Sequence, residues 1–372
     1  MSNSLQQLTE AGQSIWLDFI SRELVTSGQL TDLVENSYVT GLTSNPTIFE
    51  KAITHGTDYD EAVHQLLAEG VSDPGEMFLR LSISDIQKAA DLIRPVWDAT
   101  LGSDGYVSIE VLPSLAHNTQ GTVDLVNSLW ERVDRPNLMV KIPATPEGIP
   151  AIEQSLAAGR NINVTLIFSL AAYAQVINAY LNALEQRHTR GESLDVHSVA
   201  SFFVSRVDTE TDNRLDAIGT PQALALRGKA AIANARLAYQ LFEKTFQNNP
   251  RFAPLAAAGA YVQRPLWAST SAKNPSYRDV LYAETLIGPD TVDTMPPATI
   301  DAFRDHGVVE LTANQDYAGQ QQVIADLGEV GVPIQDVTAT LLSNGVATFA
   351  KSYDDLIEAI ANKIALSPSP AQ

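Results

Sequence analysis

Short apolar segments with the character of β-strands alternate along this chain with longer helical segments. The helical segments, such as those from Ser169 to Arg187 and from Pro221 to Gln247, are rich in Ala, Leu, Gln and Glu. The predicted strands begin near Ile15, Tyr38, Tyr106, Leu138, Ile162, Val199, Val262 and Thr291. Strands that alternate with helices form a parallel sheet, because each helix carries the chain back to the start of the next strand. Eight such strands in 372 residues favour a closed (β/α)8 barrel of the TIM type over an open sheet.

Two long segments depart from a simple repeat of strand and helix. The connection from Ile48 to Ser103 is long and mostly helical, so we expect several helices there. Beyond about Leu311 the pattern is helical as far as Ile364, which predicts C-terminal helices packed on the barrel. We therefore predict a barrel domain over residues 1–310, C-terminal helices over residues 311–366 and a disordered tail over residues 367–372.

Composition excludes several classes of protein. No apolar run is long enough to span a bilayer, and the first ten residues lack the basic and apolar regions of a secretory signal. The formal net charge of -20 argues against nucleic acid or an anionic membrane as the main partner. The absence of cysteine excludes disulfides and thiol catalysis, and the six histidines show no metal-binding spacing. These features predict a cytoplasmic protein without a metal site. The chain also lacks the glycine-rich motifs of nucleotide-binding sheets.

Four of the predicted strands have one apolar face and one face with a reactive or hydrogen-bonding side chain. Around Lys141, for example, Leu138, Val140 and Ile142 share the opposite face, because successive side chains alternate along a strand. The polar faces of the other three strands carry Asp18, Glu110, and the pair Asn163 and Thr165. In a barrel of parallel strands, reactive side chains project at the C-terminal face. We therefore expect these groups to share one pocket.

Lys141 is the most unusual of these residues, because an amine on the inner face of a buried strand is costly. It is tolerated if it is paired with a carboxylate or reaches water, which would make Lys141 a structural residue. It is also tolerated if the amine is neutral and serves as a nucleophile towards a carbonyl. Holding it neutral at pH 7 requires about 4 kcal/mol from its surroundings, because the ordinary lysine pKa is about 10.4. The other three strands, which also carry one or two reactive or hydrogen-bonding groups on one face, favour the second interpretation.

Two further segments carry groups suited to an anionic ligand. One segment ends in Arg206, and the other offers hydroxyls, including Ser271, followed by Lys273. A guanidinium, an ammonium and hydroxyl donors together suit a phosphate group. The alternatives are a surface ion pair of Arg206 with Asp208 or Glu210, and a solvated Lys273.

Two long motifs indicate a family. The segment GLTSNPTIF at residues 41–49 resembles the first signature of the transaldolase family, and LMVKIPATPEG at residues 138–148 resembles its active-site lysine signature. The resemblance extends from about Ile15 to Gly307. The segment LYAETLIGPDT at residues 281–291 is similar to the longer bacterial branch of that family.

The resemblance implies a role for each candidate residue. Lys141 would attack the C2 ketone of a ketose phosphate and form a Schiff base, and Asp18 would remove the C4 hydroxyl proton as the C3–C4 bond breaks. Glu110 and Thr165 would hold the water that moves protons during imine formation and hydrolysis. The residues implied in substrate binding are Asn45, Thr43, Asn163, Ser201, Phe203, Arg206, Ser271 and Lys273. The family usually has arginine in place of Lys273, so a point charge replaces a fork of donors.

The reaction implied is transfer of dihydroxyacetone from sedoheptulose 7-phosphate to glyceraldehyde 3-phosphate, in the non-oxidative pentose phosphate pathway. The lysine imine supplies the electron sink, so neither metal nor cofactor is expected. One alternative is a fructose 6-phosphate aldolase, but aldolase-type relatives place a tyrosine where this chain has Phe203. Another is a sugar-phosphate-binding barrel without turnover. Sugar phosphates are the expected partners, and the sequence does not determine the oligomeric state.

Overall fold

The computed structural model describes residues 3–54, 56–247 and 249–366. Its eight strands are all parallel, and β8 pairs with β1 to close a barrel in sequence order. The strands are β1 (Gln13–Leu17), β2 (Val39–Thr43), β3 (Val107–Glu110), β4 (Leu138–Pro143), β5 (Ile162–Ile167), β6 (Ser198–Phe203), β7 (Arg264–Ala268) and β8 (Thr291–Met295). The predicted (β/α)8 barrel is confirmed, and each strand begins within two residues of its predicted start.

Helices surround the barrel and form the connections between its strands. In chain order they are α1 (Ser4–Glu10), α2 (Arg22–Thr26), α3 (Gln29–Ser37), α4 (Pro46–Thr54), α5 (Asp60–Ala68), α6 (Pro74–Ala99), α7 (Thr119–Val133), α8 (Gly148–Ala157), α9 (Leu170–Thr189), α10 (Ser205–Ile218), α11 (Pro221–Leu224), α12 (Ala230–Phe246), α13 (Ala253–Ala257), α14 (Leu281–Thr285), α15 (Pro297–His306), α16 (Tyr317–Glu329) and α17 (Ile334–Leu366). A short 3₁₀ turn covers Pro113–Leu115. The long connection after Ile48 contains α4, α5 and α6, as predicted.

One predicted helical segment is interrupted. The segment from Pro221 to Gln247 is mostly helical, as predicted, but it forms two helices, α11 and α12. Between them Gly228 has a left-handed backbone with φ of +69°, which a helix cannot continue through. Its N–H donates to Asp212 Oδ1 at 3.0 Å, and an added Cβ would lie 2.9 Å from the ring of Tyr277. Tertiary contacts therefore override the helical composition of this segment.

The strand register brings the predicted polar side chains to one level. Glu110 on β3 lies beside Lys141 on β4, and Lys141 lies beside Asn163 on β5. Deeper in the barrel the fully buried Trp16 fills the space next to Gly41, where a Cβ would come within 2.5 Å of the indole. Glycine is required at that position because the ring occupies the volume of a side chain. The indole of Trp16 thus fills the interior at this level, and the polar groups lie above it.

The C-terminal helices pack on the outside and across one end of the barrel. Helix α16 packs on α12, while α17 packs on α4, α6 and α10 and touches β5. Arg214 Nη2 donates to Thr340 Oγ1 at 2.9 Å near the start of α17. Lys363 Nζ donates to Asp60 Oδ1 at 2.5 Å near its end. The proposed division at residues 310 and 311 stays a prediction, and the predicted tail at 367–372 lies outside the described residues.

In the described ranges, none of the helices has both the length and the hydrophobicity needed to cross a membrane.

Candidate active site

A cavity of about 330 Å³ opens at the C-terminal ends of the strands. Ten of the twelve predicted site residues line it: Asp18, Thr43, Asn45, Lys141, Thr165, Ser201, Phe203, Arg206, Ser271 and Lys273. The other two, Glu110 and Asn163, lie behind this wall, beside Lys141 and Ser201. The fold therefore brings together all the residues that the sequence selected.

Lys141 and Glu110 form a buried pair at the centre of the site. The side chains of Lys141 and Glu110 are 7% and 6% exposed, and Lys141 Nζ lies 3.5 Å from Glu110 Oε2. The amine also donates to the backbone carbonyl of Ser44 at 3.0 Å. Burial raises the pKa of Glu110, and nearby Asp18 raises it further, whereas Lys141 and Arg206 lower it. Since burial dominates, a proton is readily held on this carboxyl group.

Glu110 and Thr165 both keep hydrogen-bonding capacity unused. Within the described residues, Glu110 Oε2 and Thr165 Oγ1 are buried and have no hydrogen-bond partner. Buried polar atoms are nearly always satisfied, so unsatisfied ones mark places for a water or a ligand. Thr165 precedes an irregularity in β5, where Leu166 has a φ of +57° and the pairing with β6 shifts register. Backbone strain of this kind concentrates at functional sites.

Asp18 directly follows β1 and is held at the strand end. Its backbone N–H donates to the carbonyl of Met295 at 2.9 Å, which continues the ladder between β1 and β8. Thr43 Oγ1, at the end of β2, donates to Asp18 Oδ1 at 2.9 Å. The second carboxylate oxygen stays available to a ligand, because one hydroxyl occupies only part of the acceptor capacity of the group.

Asparagine and serine side chains line the side of the cavity next to Lys141. Ser201 Oγ donates to Asn163 Oδ1 at 2.7 Å, and Asn163 Nδ2 donates to Ser108 Oγ at 3.1 Å. Asn45 Oδ1 accepts the N–H of Ile48 at 3.0 Å, at the start of α4. This bond leaves the amide hydrogens of Asn45 for another acceptor. The group therefore presents donors and acceptors suited to a polyhydroxylated ligand.

Two cationic groups, Arg206 and Lys273, also line the cavity. The guanidinium of Arg206, at the start of α10, lies 5.0 Å from the centre of the Phe203 ring. Burial lowers the pKa of Arg206, although Asp18 and Glu110 oppose this effect. Lys273 Nζ donates to Ser271 Oγ at 2.6 Å. Much of the Lys273 side chain is exposed, but protein atoms around the amine lower its pKa, and Arg206 lowers it further.

The alternative ion pairs of Arg206 are not formed. Asp208 accepts the N–H of Ala231 and the hydroxyl of Tyr282, and Glu210 pairs with Arg214. The guanidinium of Arg206 therefore borders the cavity, and its charge interacts with the charges of Asp18 and Glu110.

Hydrogen bonds from helix α10 position the loop that carries Ser271 and Lys273. Tyr277 Oη donates to Asp212 Oδ2 at 2.5 Å, and Tyr282 Oη donates to Asp208 Oδ2 at 2.9 Å. At the start of the loop, the hydroxyls of Ser205 and Ser269 are bonded at 2.9 Å. These contacts join α10, which carries Arg206, to the loop that carries Lys273.

Sequence reasoning missed ten residues that line the cavity. Five of them form two groups on helices, and the others are Leu266, Ala268, Ser269, Thr294 and Pro296. Thr47, Ile48 and Lys51 come from α4, and Thr348 and Phe349 come from α17. The first group could have been found, because α4 follows Asn45 directly and positions i, i+1 and i+4 share one face of a helix. The second group carries no local signal, since only the tertiary path of α17 brings it to the site.

Comparison with known proteins agrees with this geometry. The family described as Transaldolase/Fructose-6-phosphate aldolase matches residues 15–360. A transaldolase of Parafrankia sp. (strain EAN1pec) is 51% identical over 371 residues, covering 99% of this chain and 100% of that protein. A transaldolase of Thermobifida fusca (strain YX) is 50% identical over 367 residues, covering 98% and 99%. A transaldolase of Mycobacterium tuberculosis (strain CDC 1551 / Oshkosh) is 48% identical over 357 residues, covering 95% of each.

The family predicted from the two motifs is thus confirmed over nearly the whole chain. The chain belongs to the transaldolase/fructose-6-phosphate aldolase family.

Proposed function

We propose that this chain is a transaldolase that moves a dihydroxyacetone unit from sedoheptulose 7-phosphate to glyceraldehyde 3-phosphate. The products would be erythrose 4-phosphate and fructose 6-phosphate, as in the non-oxidative pentose phosphate pathway. The family and its full-length relatives support an enzyme that transfers aldehyde or ketone residues. The observation that carries the proposal is a buried lysine amine 3.5 Å from a buried glutamate, in a cavity shared with an aspartate.

Lys141 is the nucleophile in this proposal. Its neutral amine attacks the C2 carbonyl of the ketose phosphate, and loss of water forms the Schiff base. Glu110 supports both steps, because a buried carboxyl group with a raised pKa can hold a proton and return it. A water between Glu110 Oε2 and Thr165 Oγ1 would use the two unsatisfied buried atoms and carry protons to the reacting oxygen.

Asp18 is the base that cleaves the carbon chain. As it takes the proton from the C4 hydroxyl, the C3–C4 bond breaks, the aldose leaves, and the bonding electrons move into the protonated imine. The hydrogen bond from Thr43 holds the carboxylate of Asp18 in place at the strand end. In the reverse direction, the enamine attacks the acceptor aldehyde, and Asp18 returns the proton to the new hydroxyl.

The remaining three-carbon unit must stay bound until a second aldose arrives. Asn45, Asn163 and Ser201 supply amide and hydroxyl groups on the Lys141 side of the cavity. Thr43 keeps Asp18 in place beside Asn45. Hydrogen bonds to both hydroxyl groups of the unit would hold it while the aldose product is replaced.

The phosphate group would bind at the two cationic groups of the cavity. Arg206, Ser271 and Lys273 provide two charges and a hydroxyl, and the loop that carries two of them is joined to α10. Charge-assisted hydrogen bonds of this kind are about twice as strong as neutral ones. The chain's net charge of -20 makes such a local positive site necessary for an anionic substrate.

A fructose 6-phosphate aldolase is the second candidate, since the family includes both activities. Phe203 argues against it. Its ring packs against Phe168 at 5.0 Å and lies under Arg206, so an apolar face meets the cavity where a tyrosine would present a hydroxyl. The third candidate is a protein that binds a sugar phosphate without turnover. It does not account for the Lys141–Glu110 pair, because binding alone does not require an amine that can form an imine.

One experiment separates the three candidates. The protein is incubated with fructose 6-phosphate and reduced with borohydride, and the adduct is located by mass spectrometry. We expect an adduct of the three-carbon unit on Lys141, and none in a Lys141→Arg control, which keeps the charge but forms no imine. Without an adduct in the native protein, the binding-only candidate replaces ours. Sedoheptulose 7-phosphate formed after addition of erythrose 4-phosphate identifies transfer, whereas free dihydroxyacetone alone identifies the aldolase.

The proposed location is the cytoplasm, where the substrates of this pathway are found.

A further inference from the structure

The C-terminal helix α17 contributes to the walls around Glu110. Val346, Phe349 and Tyr353 are three and four positions apart and so lie on one face of the helix. Thr47 Oγ1 donates to Ser352 Oγ at 2.8 Å, and the rings of Phe78 and Tyr353 are 5.8 Å apart in an edge-to-face arrangement. A Cβ added at Gly345 would lie 3.0 Å from Leu166 Cδ2, so the helix approaches β5 closely. This face of α17 is therefore held firmly on the active end of the barrel.

Two small cavities adjoin Glu110, each with a volume of about 10 Å³. Tyr353 lines one of them, and Val346 and Phe349 line the other. A cavity of this size holds about one water molecule. Glu110 thus adjoins space for single waters, and its side chain is only 6% exposed.

Phe349 lies between the large cavity that contains Lys141 and one of the small cavities beside Glu110. Its ring lines the 330 Å³ cavity that contains Lys141 and also the small cavity beside Glu110. The residue is only 5% exposed, and it is the one described residue of α17 that borders both cavities. Removing the ring would join the two volumes and connect Glu110 to the open cavity.

We propose that Phe349 is a positioning residue that limits water at the Lys141–Glu110 pair and thereby favours transfer over hydrolysis. This inference rests on the proposed function. Hydrolysis requires protonation of the enamine carbon, addition of water to the imine carbon and cleavage of the C–N bond. These steps release dihydroxyacetone and return the lysine amine. Transfer instead joins the enamine carbon to the aldehyde carbon, and water then releases the new ketose by hydrolysis of its imine. The two routes differ in whether the enamine carbon is protonated or attacks the aldehyde, and a wall that admits only single waters restricts the protonation.

The test compares the two outcomes in one reaction mixture. Native protein and Phe349→Ala are supplied with fructose 6-phosphate and limiting erythrose 4-phosphate, and free dihydroxyacetone and sedoheptulose 7-phosphate are measured together. We expect the ratio of hydrolysis to transfer to rise about tenfold in the variant, equivalent to about 1.4 kcal/mol between the two barriers. The Lys141 adduct after borohydride reduction should remain. Phe349→Leu keeps an apolar side chain and should raise the ratio by a smaller factor.

Leu356→Ala is the matched control. Leu356 is fully buried on the same helix but borders neither the large cavity nor the two cavities beside Glu110. This variant should lower the melting temperature and leave the ratio unchanged. An unchanged ratio in both Phe349 variants would overturn the inference, as would an equal rise in Leu356→Ala. If Phe349→Ala does not fold, Phe349→Leu decides by the same ratio. Failure of the proposed function is distinct, since the native protein would then form no Lys141 adduct.

Discussion

The two ends of the barrel each contain a carboxylate beside a cation, but they use these groups differently. At the N-terminal end, a cavity of about 270 Å³ is bordered by Asp104 and Arg264. Asp104 accepts hydrogen bonds from Ser14 and, at 2.9 Å each, from Trp16 Nε1 and the N–H of Gly105. Arg264 Nη2 donates at 2.6 Å to Ser14 and to the carbonyl of Thr291. At the C-terminal end, Glu110 Oε2 faces Lys141 Nζ at 3.5 Å, and neither it nor Thr165 Oγ1 has a hydrogen-bond partner among the described residues.

This difference in hydrogen bonding shows how one barrel places groups that stabilise the fold at one end and groups that react with a substrate at the other. A polar group whose bonds are all made within the protein rigidifies the structure, whereas an unsatisfied one is available to a substrate or a water. This agrees with the general division of labour in such barrels, in which the C-terminal face carries catalysis.

The largest effect is expected for Lys141→Ala. Turnover should fall by on the order of 10⁴-fold or more, because the substitution removes the buried amine that lies beside Glu110. The circular dichroism spectrum should be unchanged, since the substitution removes an amine from a cavity wall. A folded variant with undiminished transfer activity would show that Lys141 is a structural residue.

The next largest effect concerns Asp293, a buried carboxyl group in β8 without a substrate cavity. Within the described residues neither of its side-chain oxygens accepts a hydrogen bond, and nearby Thr270 donates to the carbonyl of Thr294. Burial raises the pKa of Asp293 from 3.8 to about 7. Between these values the folded protein binds more protons than the unfolded chain, so the free energy of unfolding decreases as the pH rises. The total decrease from this group is about 4 kcal/mol.

Asp293→Asn should remove this contribution to the pH dependence. Urea unfolding at pH 5 and pH 8 measures it in both proteins. If the native protein and the variant lose stability equally between these two values, Asp293 does not titrate in the folded state.

A somewhat smaller effect is expected at the N-terminal end for Asp104→Ala. Stability should decrease by about 3 kcal/mol, because Arg264 would remain partly buried without its counter-charge. The kcat and KM of the folded variant should stay as in the native protein. Urea unfolding and steady-state kinetics on one preparation check both statements, and a large fall in kcat would contradict the division between the two ends.

The smallest effect is expected for Lys273→Arg. A guanidinium binds a phosphate with two parallel hydrogen bonds, so KM for fructose 6-phosphate should fall about threefold. The rate with an unphosphorylated ketose provides the control and should not change. An equal change for both substrates would place Lys273 outside the phosphate site.

Much of the fold and of the site could be predicted from local patterns. The alternation around Lys141, and around Asn163 and Thr165, places these side chains inside any barrel built from those strands. The register that brings Glu110 beside Lys141 follows once neighbouring strands pair in parallel. Helix boundaries were harder to predict. Gly228 interrupts a helical composition because Asp212 and Tyr277 lie against it, and these contacts come from other elements.

The barrel, the family and the side chains available for chemistry could be predicted from the amino-acid sequence, because alternation and motifs are properties of neighbouring residues. Which of those side chains lack hydrogen bonds, and which residues cover them, depends on the folded structure. Glu110 and Asp104 are both acidic residues at the ends of apolar segments, but one is enclosed by Phe349 and the other is fully bonded. Burial and hydrogen bonding depend on segments that are distant in the sequence but close in space. A local sequence pattern therefore does not predict them.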